Sequence, residues 1–274
     1  MPMPTPIDLY DSAYGHYAAD VYRQVRIATY GEDLGQTSWV TGEESGQIPH
    51  ILQLTPASRV LEVGCGSGAY ALQLAAATGS SILGIDINQA GIRNASSLAR
   101  DRGLDSRVSF ELCDVAQPLP FAAPAYNGPF DAAFANDVLC HIPARDALLP
   151  EIFRVLKPRG RLLFSDALIL GGAVTHQEIA TRSSIGTYIF VPPGYNERLI
   201  EQAGFRLLEA TDTTANAAAI AQRWQAARSR HRDALIATEG ATNFEGLQQF
   251  LACVHTLCSE RRLLRYLYVA EKPD

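Results

Sequence analysis

The feature that most constrains the fold is a glycine-rich segment that directly follows a short apolar run. Residues 60–63 are apolar except for Glu62, and Gly64, Gly66 and Gly68 then alternate with small residues ahead of a helical pattern. Glycine lacks a Cβ atom, so such a turn adopts positive φ and lets a ligand approach the backbone at a helix N-terminus. The segment therefore predicts a strand, a ligand-binding turn and a helix, which is the opening unit of an α/β fold.

Two further apolar runs end in acidic residues. Residues 82–85 lead into Asp86, about 20 residues beyond the first glycine, which is the spacing expected for a carboxylate that binds ribose hydroxyls. Residues 108–113 lead into Asp114. The glycines alone also fit the looser dinucleotide pattern G-x-G-x-x-A, so an NAD-dependent oxidoreductase is an alternative. A dinucleotide site explains Asp86 but gives no reason for Glu62 or Asp114.

With these acidic residues and glycines, the chain resembles the class I S-adenosylmethionine-dependent methyltransferases. The resemblance extends to an apolar strand at residues 130–135 followed by polar residues, and to a Leu-Lys-Pro-x-Gly turn at residues 156–160. It implies a Rossmann-like α/β fold with a seven-stranded, mostly parallel sheet, helices on both faces and a helical cap or lid. The cofactor implied is S-adenosylmethionine, with S-adenosylhomocysteine as product.

The resemblance also implies which residues contact the cofactor. The first acidic residue and the glycines would hold the methionine end, Asp86 the ribose and Asp114 the adenine amino group. Gln36 is added from the polar segment ahead of Ser38, for which a solvated turn is the alternative. The predicted cofactor-binding residues are then Gln36, Glu62, Gly64, Gly66, Gly68, Asp86, Ile87, Asp114, Val115 and Asn136.

Apolar periodicity divides the chain into a core and added segments. Residues 1–55 are predicted to form a tyrosine-rich helical cap, residues 56–212 the cofactor-binding core, residues 213–262 a helical lid insertion and residues 263–274 the final core strand. The predicted strands are residues 59–63, 81–86, 107–113, 130–135, 160–168, 205–211 and 264–270. The lid, with helices at residues 215–238 and 243–260, is expected over the carboxyl ends of the strands, where open α/β folds bind ligands.

His141 and Asp137 are the predicted catalytic residues. They lie four apart after the fourth strand, so a helical turn would place them on one face, and histidine suits proton transfer near neutral pH. Packing beneath the adenine or capping of the next helix is the alternative for His141. Tyr14, Tyr17 and Tyr195 are predicted to bind substrate, because aromatic rings attract a methylammonium group; for them the alternative is ordinary packing.

For two charged residues farther along the chain, Arg182 and Asp166, the sequence leaves both a structural and a ligand-binding role open. Arg182 is expected at the surface, with binding of a substrate carboxylate as the alternative. Asp166 either lines the acceptor pocket or closes the fifth strand.

A looser resemblance suggests the acceptor. The segment at residues 31–35, the string Asn-Asp-Val-Leu-Cys-His-Ile at residues 136–142 and the end of the chain are similar to the bacterial sarcosine and dimethylglycine N-methyltransferase branch. The branch implies methylation of a small amine. Alternatives are an O- or C-methyltransferase of a small natural-product metabolite, and a noncatalytic protein that binds S-adenosylmethionine or S-adenosylhomocysteine.

The composition of the chain limits the classes of molecule that it is expected to bind. The net charge is −6 and no basic run occurs, which disfavours nucleic acid and anionic membranes. No apolar stretch reaches the length of a spanning helix and the start lacks a signal pattern, so a cytoplasmic location is expected. The five cysteines contain no C-x-x-C pair, and no metal site is predicted. The expected partner is a small-molecule acceptor, and the oligomeric state, including a homodimer, stays open.

Overall fold

A computed structural model describes residues 7–33, 35–121 and 130–274. Residues 1–6 of the predicted cap and Leu34 of the segment at residues 31–35 lie outside the described residues. The strands are β1 (Arg59–Val63), β2 (Ser81–Asp86), β3 (Val108–Leu112), β4 (Phe130–Ala135), β5 (Leu156–Leu170), β6 (Arg206–Asp212) and β7 (Leu263–Glu271). They form one seven-stranded sheet in the order β3-β2-β1-β4-β5-β7-β6.

Eleven helices are assigned within the described residues, together with a single 3₁₀ turn at Leu139–His141. The helices are α1 (Tyr10–Gly15), α2 (Asp20–Tyr30), α3 (Gly42–Ile51), α4 (Ala69–Thr78), α5 (Gln89–Asp101), α6 (Arg145–Val155), α7 (His176–Arg182), α8 (Tyr195–Gln202), α9 (Thr214–Arg230), α10 (Arg232–Glu239) and α11 (Ala241–Ser259).

The sheet confirms the predicted Rossmann-like fold. β1 to β5 pair in parallel, and β7 runs antiparallel between β5 and β6, so the sheet has seven strands and is mostly parallel, as the resemblance implied. The short apolar runs form strands because both faces of the central strands are covered by helices, so β1 is buried from Val60 onward. Apolar side chains form separate clusters on the two faces, one around Phe164 and one around Phe134.

Several strand ends differ from the sequence prediction by one or two residues, and three elements differ by more. β5 begins at Leu156 instead of residue 160, because the predicted turn is a bulge beside β4, with Arg159 at φ 62°. The predicted helix at residues 215–238 is interrupted at His231, which separates α9 from α10. Helix α7 has no counterpart among the predicted elements, since its seven residues are too few to show a clear period.

The cap and lid segments share a third apolar cluster. α9 packs against α2 and α11, and the Trp39 ring centroid lies 6.1 Å from that of Trp224 and 6.2 Å from that of Phe250. Trp39 and Phe250 are both nearly inaccessible to solvent. Burial of such side chains contributes about 1.5–3 kcal/mol each, so this cluster fixes both added segments to one another. Among the described residues, no helix combines the length and apolarity that a membrane crossing requires.

Candidate active site

The glycine-rich turn after β1 has the backbone geometry that a close-fitting ligand site needs. Gly64, Gly66 and Gly68 have φ values of 72°, 52° and 76°. A Cβ atom on Gly64 would lie 2.3 Å from a methyl group of Val138, and one on Gly68 would lie 2.5 Å from the Phe110 ring. Positive φ and close packing both exclude larger residues at these glycines, which fixes the course of the backbone into α4.

Asp86 is anchored to this turn from the neighbouring strand. One oxygen of its carboxylate accepts a hydrogen bond from the Gly66 N–H at 2.8 Å, and the other accepts one from the Asn88 N–H at 2.7 Å. Burial raises the pKa of Asp86, although these backbone hydrogen bonds oppose the rise. Each oxygen retains acceptor capacity for a further donor such as a ribose hydroxyl.

Three buried polar atoms beside the turn have no hydrogen-bond partner. They are Glu62 Oε2, Ser67 Oγ and Asn136 Nδ2. Burial raises the pKa of Glu62 well above its usual value; a hydrogen bond from the Ala71 backbone opposes the rise and the charge of Asp86 adds to it. A buried acceptor, hydroxyl and amide donor at a helix N-terminus match the ammonium and carboxylate of an amino acid, which is the methionine end of S-adenosylmethionine.

The opposite end of the site opens to solvent beyond β2 and β3. Asp86, the last residue of β2, pairs in register with Leu112 of β3. Leu112 is 56% exposed, and Ile87, which follows β2, is 71% exposed. Asp114 is exposed and accepts a hydrogen bond from the Ala116 N–H at 2.9 Å, and Val115 is half-buried. Apolar side chains beside an exposed carboxylate suit a flat base whose edge carries an amino group.

Of the predicted substrate tyrosines, Tyr14 lies over the glycine turn. A Cβ atom on Gly66 would lie 2.6 Å from the Tyr14 hydroxyl, which is 3.4 Å from Thr37 Oγ1. Tyr17 makes the corresponding close approach to Gly35. Their positions place both rings beside the predicted cofactor site.

The other two predicted ligand-binding residues, Gln36 and Tyr195, lie in separate parts of the structure. Gln36 is buried and lines a cavity of about 20 Å³ between the cap and the lid helices. Tyr195 begins α8 and packs against the apolar cluster around Phe164. Its ring lies 5.9 Å from the guanidinium of Arg198, and the role predicted for it stays a prediction.

Asp137 is held by a buried arginine that sequence analysis missed. Its carboxylate accepts hydrogen bonds from Arg265 Nε at 2.8 Å, Ser165 Oγ at 2.9 Å and the Trp39 N–H at 2.8 Å. Arg265 is inaccessible to solvent and also donates to Glu44 at 2.7 Å. A carboxylate with these partners joins β4, β7 and the cap, and we therefore assign it a structural role and do not propose it as a base.

The geometry also separates Asp137 from His141. Asp137 has φ 58°, and only one 3₁₀ turn, at Leu139–His141, follows it. The expected single helical face at a spacing of four residues therefore does not form.

His141 is paired with Tyr10 of α1, a residue that sequence analysis did not select. His141 Nδ1 donates to the Thr187 carbonyl at 3.0 Å, so Nε2 accepts the hydrogen bond from the Tyr10 hydroxyl at 2.9 Å. Burial lowers the pKa of His141 to about 4, with the charge of Arg182 as a smaller contribution in the same direction. Burial likewise raises the pKa of Tyr10, so the pair at neutral pH is a neutral imidazole and a protonated phenol.

Two charged residues expected in simple roles are fully buried. Asp166 accepts hydrogen bonds from Arg145 and Asn196 in a buried polar cluster, and it lies inside β5, four residues before the end of that strand. Arg182, expected at the surface, is 1% exposed, which makes that expectation wrong.

Comparison with known proteins assigns the fold to a family. A methyltransferase-domain family model matches residues 54–185. The O-methyltransferase rstn1 of Aspergillus nomiae is 32% identical over 167 residues, which are 61% of this chain and 72% of that protein. The chain belongs to the methyltransferase family. The methyltransferase GfsG of Streptomyces halstedii is 34% identical over 174 residues, 61% of this chain and 60% of GfsG.

Solved structures support the methyltransferase fold over most of the chain. The mycolic acid cyclopropane synthase CmaA1, in complex with S-adenosylhomocysteine, superposes with a TM-score of 0.81 at 15% identity, covering 96% of this chain and 98% of that one. S-adenosylmethionine is the cofactor of the methyltransferase family, and the unpartnered atoms beside the glycine turn fit it. Sequence relatives of this methyltransferase are named as O-, C- and N-methyltransferases, so the acceptor atom is not fixed by them.

Acid is expected to destabilise this methyltransferase through His141. The folded-state pKa of about 4 lies below the ordinary value of 6.5, so the unfolded chain binds more protons in that window. The free energy of unfolding then falls as the pH drops from 6.5 toward 4, by up to about 3 kcal/mol from this group alone. Urea denaturation of the parent and of His141→Asn at pH 7 and pH 4.5 measures it. The variant should lose less stability on acidification, and equal losses in both proteins would contradict the assignment.

Proposed function

We propose that the protein transfers a methyl group from S-adenosylmethionine to a small-molecule acceptor. The observation that carries the proposal is the set of unpartnered buried atoms of Glu62, Ser67 and Asn136 beside the glycine turn. Asp86 on the adjacent strand end completes a site with separate positions for an amino-acid group and a ribose. The family membership of the chain supports this assignment over a nicotinamide-dependent oxidoreductase.

The bound cofactor supplies an activated methyl group on a sulfonium that is also its leaving group. Because charge is spread and not created in the displacement, the residues mainly align the acceptor, and proximity contributes at most about 7–11 kcal/mol. In our proposal an acceptor N–H or O–H donates to the Tyr10 oxygen. Its proton then passes to Tyr10 as the Tyr10 proton moves to His141 Nε2, which already accepts that hydrogen bond.

The preferred acceptor is a small amine. The aromatic rings of Tyr10 and Tyr188 lie against His141 at centroid distances of 5.5 Å and 4.4 Å, and such faces stabilise a methylammonium group. The named relatives keep O- and C-methylation of a small metabolite as alternatives. A noncatalytic cofactor-binding protein is the remaining alternative, and it would bind the cofactor without transferring a methyl group.

We also propose that α9–α11 act as a lid that limits acceptor size. Their apolar faces pack on α2 and Trp39 of the cap, and Glu44 of α3 accepts a hydrogen bond from Asn216 of α9 at 2.8 Å. The cytoplasmic location, the absence of a nucleic-acid partner and the oligomeric state stay predictions from the sequence.

The test separates cofactor binding from turnover. Calorimetry is expected to show binding of S-adenosylmethionine and S-adenosylhomocysteine but not of NAD, and labelled cofactor should transfer its methyl group to a member of a panel of amines, phenols and carbon acids. Tyr10→Phe removes the hydroxyl and should keep cofactor affinity while lowering kcat about tenfold or more. Tyr266→Phe is the matched control with unchanged kcat. Binding of NAD, or parental kcat in Tyr10→Phe, would overturn the corresponding part of the proposal.

A further inference from the structure

Arg182, at the end of α7, is a buried cation without a hydrogen-bonded anion. Its side chain is 1% exposed, and both terminal nitrogens, Nη1 and Nη2, are buried without a carboxylate partner, although the neutral Tyr188 side chain interacts with the guanidinium. The guanidinium carbon lies 4.3 Å from the ring centroid of Tyr188, 5.0 Å from that of Phe250 and 5.7 Å from that of Trp39. Aromatic faces hold the cation in place but do not neutralise its charge.

The other buried arginines of the described residues differ from Arg182 in one respect. Each of them forms an ion pair with a carboxylate; they are Arg26 with Asp33, Arg145 with Asp166, Arg228 with Glu239 and Arg265 with Asp137 and Glu44. The protein therefore neutralises buried guanidinium groups wherever no ligand is required. Arg182 is the exception among the buried arginines of the described residues, and an anion from outside the chain would neutralise it.

The unpaired guanidinium shares an aromatic wall with the proposed proton relay. The guanidinium carbon of Arg182 lies 4.3 Å from the Tyr188 ring centroid, which lies 4.4 Å from that of His141. The charge of Arg182 also contributes to the low pKa of His141. A ligand group bound at Arg182 would thus lie within one small molecule's length of the Tyr10 hydroxyl.

We propose that Arg182 binds a carboxylate of the acceptor, so that the substrate is an anionic or zwitterionic small molecule such as an amino acid. The proposal rests on the proposed function, because it names the substrate class of the same site. Two unpartnered N–H groups of a planar guanidinium match the two oxygens of a carboxylate in a bidentate pair. The carboxylate also neutralises the cation that would otherwise oppose a methylammonium group beside Tyr10 and Tyr188.

The test uses the full chain saturated with S-adenosylhomocysteine and measures binding of acetate, acetamide and inorganic phosphate by NMR titration at constant ionic strength. Acetate should bind about tenfold or more tightly than acetamide, its uncharged isostere, and more tightly than phosphate. Arg182→Gln should weaken acetate binding about tenfold or more, and Arg182→Lys should weaken it less. Arg198→Gln, which alters an exposed arginine on α8, should leave it unchanged.

Any other result contradicts a specific part of the carboxylate-binding proposal for Arg182. Equal binding of acetate and acetamide, or parental acetate affinity in Arg182→Gln, would make Arg182 a packing residue only. Phosphate binding tighter than acetate binding would replace the carboxylate by a phosphate group. If Arg182→Gln does not fold, the acetate affinity of Arg182→Lys serves as the test. A parental affinity in Arg182→Lys would contradict the bidentate pairing of the guanidinium with the carboxylate. If the parent protein does not bind S-adenosylhomocysteine, the proposed function itself is refuted.

Discussion

Replacing Glu62 by glutamine is expected to weaken binding of S-adenosylmethionine about thirtyfold or more. The unpartnered Oε2 of Glu62 is the buried acceptor assigned to the cofactor's ammonium, and loss of one member of a buried charged pair costs about 2–5 kcal/mol. Glutamine keeps the shape and removes the charge, so calorimetry on Glu62→Gln isolates the electrostatic part. Glu32→Gln, at an exposed acidic residue of the cap, should leave the affinity unchanged.

The same experiment has a second, independent readout. Burial raises the pKa of Glu62 without a ligand, and a bound ammonium stabilises the carboxylate, so cofactor binding should release protons. Affinity should then increase with pH until Glu62 is ionised in the free protein. Calorimetry in two buffers with different ionisation enthalpies detects the protons. Proton release that persists undiminished in Glu62→Gln would assign it to another group.

Replacing Arg265 by methionine is expected to lower the free energy of unfolding by about 3–5 kcal/mol. Arg265 is inaccessible to solvent, and its removal leaves Asp137 and Glu44 as buried carboxylates without their cation. Urea denaturation measures the loss. Arg206→Met, which breaks an ion pair whose arginine side chain is 66% exposed, should cost at most about 1 kcal/mol.

A compensating variant tests the reason for that loss. If the cost comes from unpaired buried charge, the triple variant Arg265→Met, Asp137→Asn and Glu44→Gln should recover a substantial part of the stability. A triple variant as unstable as Arg265→Met alone would instead assign the loss to packing around β7. Both variants leave the glycine turn and the Asp86 contacts unaltered, so cofactor binding at low temperature serves as the check that the folded state is retained.

Most of the sheet could be predicted from the sequence because its strands are short apolar runs bounded by turn residues. β1, β2 and β4 have the predicted bounds, and the glycine turn has the positive φ values that its spacing indicated. These features depend on residues within one supersecondary unit. The cofactor side of the site could be predicted for the same reason, since parallel strands bring their carboxyl ends to one edge.

The catalytic side depends on contacts between distant segments. Arg265 contacts Asp137 across 128 positions, and Tyr10 contacts His141 across 131. The interpretation of Asp137 and His141 as one helical face was wrong because Asp137 has positive φ, which a spacing rule does not reveal. Arg182 was expected at the surface because isolated arginines usually are, and only the aromatic residues brought in by α11 and the cap make its burial tolerable.

Helix α1 contacts both halves of the site through only six residues. Tyr10 reaches His141, while Tyr14 covers Gly66, and Asp11 accepts a hydrogen bond from Asn88 at 2.6 Å. A helix of this length contributes little stability of its own, so it detaches far more cheaply than the sheet unfolds. We therefore expect a local opening of α1 to control the exchange of cofactor and of acceptor with solvent. Both ligands would then enter and leave through the same opening. We expect the movement of α1, and not the displacement at the methyl carbon, to be the slowest step of the catalytic cycle.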